Sequence, residues 1–214
     1  MRRPHDWYSA FAIALAAAAS AVAYPRLPDR VPVHWGISGE PDRLGTRLEG
    51  VWLLPAVMLG LWLLMRAFPK LDPRGESYAK MRSTYDFVIN ATLTVMLALH
   101  AVVIAAGLGF VVPMQRFVPL VGGAFFIALG NVLPRTRPNW ILGVRTPWTL
   151  SNDRVWTRTH RVAGYLMTGA GVVVLATAAL PGLASAVAAI TALTVAAFGS
   201  VIYSYVAWRQ ETRS

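Results

Sequence analysis

Residues 184–208 read ASAVAAITALTVAAFGSVIYSYVAW, 25 residues without one charged side chain. A hydrocarbon core about 30 Å thick is crossed by about 20 mostly apolar residues in a helix, so this stretch is long enough to span a bilayer. It is apolar all round rather than at alternate positions, and it is far longer than a tilted barrel strand of about 10 residues. Working outward, residues 7–24, 51–68, 85–112, 117–133 and 162–180 come near the same mark. Charged residues make up 14% of the chain, against about 25% in an average soluble protein, and they cluster between these runs. The sequence therefore predicts an all-α integral membrane protein of six transmembrane helices.

Charge fixes the expected orientation. With the N-terminus inside, 15 basic residues fall in cytoplasmic segments: Arg2, Arg3, Arg66, Lys70, Arg74, Lys80, Arg82, Arg135, Arg137, Arg145, Arg154, Arg158, Arg161, Arg209 and Arg213. The outer segments hold five: Arg26, Arg30, Arg43, Arg47 and Arg116. Lys and Arg accumulate on the cytoplasmic side of membrane proteins, so N- and C-termini are both expected there. The net charge of +10 is explained by this rule and by anionic lipid head groups, with no direct nucleic-acid binding. Arg2-Arg3, an apolar run and Ala21-Val22-Ala23 resemble a secretory signal. The apolar run exceeds the usual 7–15 residues of such signals, which favours a retained first helix. Cysteine is absent, which excludes disulfides and thiolate metal sites.

Two loops carry more information than the spans. Residues 25–50, PRLPDRVPVHWGISGEPDRLGTRLEG, balance Arg26, Arg30, Arg43 and Arg47 against Asp29, Glu40, Asp42 and Glu49. Pro25, Pro28 and Pro32 keep its start extended. Val31, Val33 and Trp35 alternate with Pro32 and His34, predicting a short strand in a small extracellular cap. Ser38-Gly39-Glu40-Pro41-Asp42 supplies a turn. His34, Glu40 and Asp42 are competent metal ligands, but no helical spacing fixes them, and a recognition surface shaped by His34 and Trp35 is the better reading. Residues 134–161, PRTRPNWILGVRTPWTLSNDRVWTRTHR, set six Arg against Asp153. Asn139-Trp140 and Gly143 mark turns. Ser151 is the expected cap of a helix that brings Val155, Trp156, Thr159 and His160 close together. Trp140, Trp148 and Trp156 are expected as head-group anchors.

The stretches PDRVPVHWGISGEPDRLGTR and NWILGVRTPWTLSNDRVWTRTHRVAG resemble the N- and C-terminal signatures of the SdpI-type bacterial immunity protein family. Pro32, His34, Trp35, Gly39, Asp42, Asn139, Gly143, Arg145, Thr146, Pro147, Trp148, Thr149, Leu150, Val155, Trp156, Thr159, His160 and Gly164 carry the resemblance. Trp140 departs mildly, standing where a smaller aromatic is usual. The resemblance implies a multi-pass protein of the bacterial cytoplasmic membrane that protects against a secreted peptide toxin. It also implies, for some members, signalling by holding a DNA-binding repressor at the inner membrane face.

Within the spans, His100 is an ionisable residue at membrane depth and a functional candidate by default. A neutral imidazole bonded to a neighbouring helix explains it equally well. Asp86 and Asn90 share a helix face, with Asn131 at similar depth, and Asp86 is expected to pair with an arginine of the second loop, Arg145 foremost. Glycines 107, 109, 122, 123, 164, 169 and 171 point to close helix packing. No HExxH, GxSxG or Walker loop is present, so the sequence calls for no enzyme and no cofactor. A transporter or channel-like protein using His100 and the inner polar cluster is the other reading. The chain divides into residues 1–68, an N-terminal helix pair with the cap; 69–133, a middle pair; and 134–214, the SdpI-like region with its cytoplasmic loop and last two helices.

Overall fold

The computed structural model describes residues 6–213; Arg2 and Arg3, counted above toward the cytoplasmic side, lie outside them. Among the described residues six helices are long and apolar enough to cross a membrane. They are α1 (Asp6–Ala23), α2 (Arg47–Leu71), α4 (Arg82–Gly107), α5 (Met114–Val132), α7 (Asp153–Ala176) and α8 (Gly182–Glu211). Two short helices, α3 (Glu76–Lys80) and α6 (Pro147–Ser151), lie at the arginine-rich end. At the opposite end β1 (Arg30–Trp35) and β2 (Pro41–Thr46) form an antiparallel hairpin, so the predicted strand has a partner.

Local chemistry sets the boundaries. The Thr46 hydroxyl caps α2 by accepting from the Glu49 N–H at 3.1 Å, one of the donors left open at any helix start. The third span stops at Gly107 instead of running on to residue 112. Gly109, with φ +89°, turns the chain there, and Pro113 begins the next helix. Apolar side chains cover the outside: Val187, Ile190, Val195, Phe198 and Ile202 of α8 are all exposed. A continuous belt of this kind suits lipid, because a water-soluble monomer rarely exposes so large an apolar patch.

The helices pack as two groups of three. In the first, α4 packs against α1 and α2 around Ala12, Ala16, Met58, Tyr85, Ile89 and Leu93. In the second, α5 packs along α7, and α7 along α8. Glycine makes the α5–α7 crossing tight. A Cβ on Gly164 would lie 2.7 Å from the Gly130 carbonyl oxygen, and one on Gly171 2.7 Å from the Ile127 nitrogen. Gly123 meets the Leu175 backbone in the same way, at 2.6 Å. Of the glycines singled out above, Gly109, Gly122 and Gly169 have nothing within 4 Å of such a Cβ and take no part in packing. Gly130, which lies on the crossing, was not among them.

Two alanine substitutions in α7 should therefore have opposite signs. Gly164→Ala forces backbone apart and should lower the thermal midpoint of the detergent-purified protein by several degrees. Gly169→Ala meets open space and should leave it unchanged or raise it, since Ala is better than Gly in a helix by about 1 kcal/mol. Equal effects would refute the crossing.

Candidate functional site

The hairpin is rooted in one helix group and latched to the other. Val31 is fully buried in a slot made by Gly50 of α2 and Gly107 of α4, where any side chain on either glycine would strike it. Its tip, Gly36 to Gly39, closes through a Gly39 N–H to Gly36 oxygen bond of 2.9 Å, with Gly39 at φ +80°. Gln115 of α5 donates its side-chain N–H to the Ser38 carbonyl there.

Charge pairing holds the hairpin neutral. Arg43 meets Glu49 at 2.8 Å and Arg47 meets Asp29 at 2.6 Å. His34 and Asp42 are bonded at 2.5 Å across the two strands, and both are exposed. Glu40 is exposed at the turn, and Pro32 and Trp35 are half-buried beneath it. Among the described residues no three of His, Asp or Glu gather as a cation site.

The intramembrane polar residues form two separate clusters. His100 of α4 is buried, with Nε2 3.1 Å from the Ala16 carbonyl oxygen and 3.0 Å from the Ser20 hydroxyl, both in α1. Ser20 in turn donates to the Val51 carbonyl of α2 at 2.5 Å. The imidazole thus links three helices.

Asp86 does not pair with the second loop. Its carboxylate accepts from Arg66 of α2 at 2.8 Å, and Arg66 also ion-pairs with Asp6 of α1. Arg82 stands 3.8 Å away on the turn below. Asn90, on the same face of α4 as Asp86, accepts from Ser9 at 2.8 Å. Arg145 instead donates to the Trp140 carbonyl at 2.8 Å. The reason is geometric: α1 and α2 lie against this face of α4, so their side chains reach Asp86 first. Asn131 is exposed at the end of α5. Arg66 was legible as the lone charge in the apolar run 51–68, a signal used above only for orientation.

Residues 134–161 form a folded loop that leads through α6 into the start of α7. Asn139 is fully buried and organises its turn: Oδ1 accepts from the Ile141 and Leu142 N–H groups at 2.9 and 2.6 Å, and Nδ2 donates to the Arg137 and Leu142 carbonyls. Gly143 follows at φ +115°, where a Cβ would lie 2.2 Å from His160 Nε2. His160 is locked at both nitrogens. Nε2 accepts from the Val144 N–H at 2.9 Å, and Nδ1 donates to the Trp156 carbonyl at 2.8 Å.

Trp156 stacks on that imidazole with centroids 4.0 Å apart and is wholly buried, so it is a core residue and not a membrane-surface anchor. Trp140 is half-exposed, and Trp148 packs against Tyr205 and Trp208 of α8. Thr146 and Thr149 form a capping box at the start of α6, with Pro147 in its first turn. Asn152, not Ser151, caps α7, accepting from Arg154 and Val155; Ser151 ends α6 and bonds back to the Trp148 carbonyl at 3.2 Å.

Asp72, just after α2, ties this loop to the first helix group. Its buried carboxylate accepts from the Tyr78 hydroxyl at 2.6 Å, the Trp140 N–H at 2.8 Å and the Arg74 N–H at 2.7 Å. Burial alone would raise its pKa, but these three donors and the Arg74 charge together hold it below the usual carboxylate value. Burial first, and the Asp72 hydrogen bond second, push the Tyr78 phenol up, so it stays a donor. Neither residue was read from the sequence, where Asp72 looks like an ordinary turn former.

Six apolar spans, a neutral hairpin at one end and a hydrogen-bonded arginine-rich loop at the other define a multi-pass α-helical membrane protein. Residues 135–204 match the SdpI/YfhL protein family, and residues 11–59 match a domain of unknown function, DUF1648. Immunity protein SdpI of Bacillus subtilis is 26% identical over 155 residues, which cover 72% of either chain. An uncharacterized protein of Archaeoglobus fulgidus is 53% identical over 36 residues, 17% of this chain and 19% of that one. No solved structure matches. The chain is thus similar to SdpI-type membrane proteins, through the family match at its C-terminal end and through a relative aligned over most of its length.

Two substitutions test the polar network. Arg66→Met strands Asp86, whose side chain is 2% exposed, and should cost about 3–5 kcal/mol, as is usual when one partner of a buried pair is removed. Arg145→Met should cost far less; equal losses of thermal stability in detergent would return Asp86 to the loop. Asp72→Asn should loosen the loop, seen as faster tryptic cleavage after Arg135 and Arg145. Because its folded pKa is lowered, the Asp72 contribution is complete above the unfolded carboxylate value of about 3.9 and is lost only as pH falls through the lower folded value. Loosening of the wild-type loop between pH 8 and 5 would contradict this.

Proposed function

We propose that the protein confers immunity to a secreted peptide toxin from the bacterial cytoplasmic membrane, with both termini and the arginine-rich loop inside and the hairpin outside. The observation that carries this reading is the 26% identity to the immunity protein of Bacillus subtilis, which runs over 72% of both chains. In this reading the hairpin, with His34, Trp35, Gly39, Glu40 and Asp42, is the surface that meets the toxin. Its fixed roots and neutral, paired charges favour a shaped contact over electrostatic capture.

The inner loop would serve as the partner surface. Its backbone is held by Asn139, His160 and Asp72, while Arg135, Arg137, Arg145 and Arg161 are exposed on it. A folded platform displaying cations suits an acidic surface on a DNA-binding repressor. One observation favours the second reading, a transporter or channel-like protein: two cavities lie end to end inside the bundle, with Phe126 and Leu193 lining both.

Expression in a toxin-sensitive bacterium separates the two. Protection by the intact chain is expected, reduced by about tenfold or more in His34→Ala or Arg145→Ala at equal membrane abundance, a change equivalent to about 1.4 kcal/mol. A chain that reaches the membrane and never protects against the toxin of a neighbouring gene would sink the immunity reading.

A further inference from the structure

The two helix groups do not close along their shared seam. Beneath the hairpin a cavity of about 620 Å³ lies between α2 and α4 on one side and α5 and α8 on the other. A second, of about 550 Å³, lies toward the arginine-rich end. Phe126 and Leu193 line both and form the floor of the first. We propose that the cavity beneath the hairpin binds the acyl chain of a single-chain lipid, with its polar head at the Trp35–Gly39 turn. This inference is independent of the immunity reading.

Dimensions and chemistry select that occupant. From Gly182 at the mouth to Leu193 at the floor is about 17 Å along α8 at 1.5 Å per residue. One leaflet of a hydrocarbon core is about 15 Å deep, so the cavity is as deep as one lipid chain is long. A cavity this deep for a volume of about 620 Å³ has the shape of an extended chain.

An extended peptide would fit by width but would bring backbone N–H and C=O groups into a space without water. The deep walls, including Leu99, Val102, Val118 and Ala189, offer nothing to bond them. An acyl chain brings no such groups. Polar contacts are available only at the mouth, where Gln115, Ser185, His34 and the turn backbone stand. That is the polarity of an amphiphile: an apolar body below a polar rim.

The test uses the full chain in phosphatidylcholine nanodiscs with a diazirine-bearing palmitic acid, followed by photolysis and mass spectrometry. Adducts are expected on Leu99, Val102, Val118 and Ala189, competed by unlabelled lysophosphatidylcholine. Ala189→Trp fills the cavity and should reduce them by about tenfold, while Val195→Trp on the exposed face of α8 should not. Phe126→Ala opens the floor and should extend adducts to Leu129 and Ala196. Adducts confined to Val195, Phe198 and other lipid-facing residues of the unmodified chain would overturn the proposal. So would seam adducts that Ala189→Trp leaves unchanged, or that an apolar peptide displaces and lysophosphatidylcholine does not.

Discussion

Inside a hydrocarbon layer no water stands ready to bond a polar group, and most of this structure follows from that single constraint. It makes helices of the six apolar runs, since a helix satisfies its own backbone. It also governs the few polar side chains among them. His100 reaches the Ala16 carbonyl and the Ser20 hydroxyl, Asn90 reaches Ser9, and Asp86 and Asp6 share Arg66. These contacts join α4 to α1 and α2, and Arg66 joins α2 to α1, so satisfying these polar groups also assembles the first group of three helices.

The second group is held by different means. At the α5–α7 crossing there is no charge; Gly123, Gly130, Gly164 and Gly171 let two backbones approach until a methyl group would not fit. Without a hydrophobic effect between helices in lipid, such close packing supplies the association. The two groups then meet along a seam that neither mechanism closes, and the cavities lie there. Each end bridges the seam with a loop. The hairpin is rooted by Val31 and latched by Gln115; the arginine-rich loop is tied back by Asp72.

The candidate functional residues thus sit where the bilayer constraint relaxes. Irregular backbone is confined to the two ends, and each loop is ordered by a small number of buried groups: Val31 in the hairpin, Asn139 and His160 in the inner loop. His160 helps to order the inner loop, since both ring nitrogens are committed to backbone partners. Trp156 beside it belongs to the same core and leaves Trp140 and Trp148 nearer the surface.

Composition and periodicity by themselves determined the number of spans, the helical class, the position of both informative loops and the turns at Gly39 and Gly143. These are local properties: apolar length decides whether a run can cross, and Gly or Pro decides where the chain bends. Pairing was another matter. That Asp86 meets Arg66 and not Arg145, that Asn152 and not Ser151 caps α7, and that Asp72 holds the second loop depend on which helices become neighbours. Helix neighbours are chosen by surface shape, through glycine crossings and buried pairs distant in the chain. Linear spacing carries no record of that choice, so only the tertiary structure decided it.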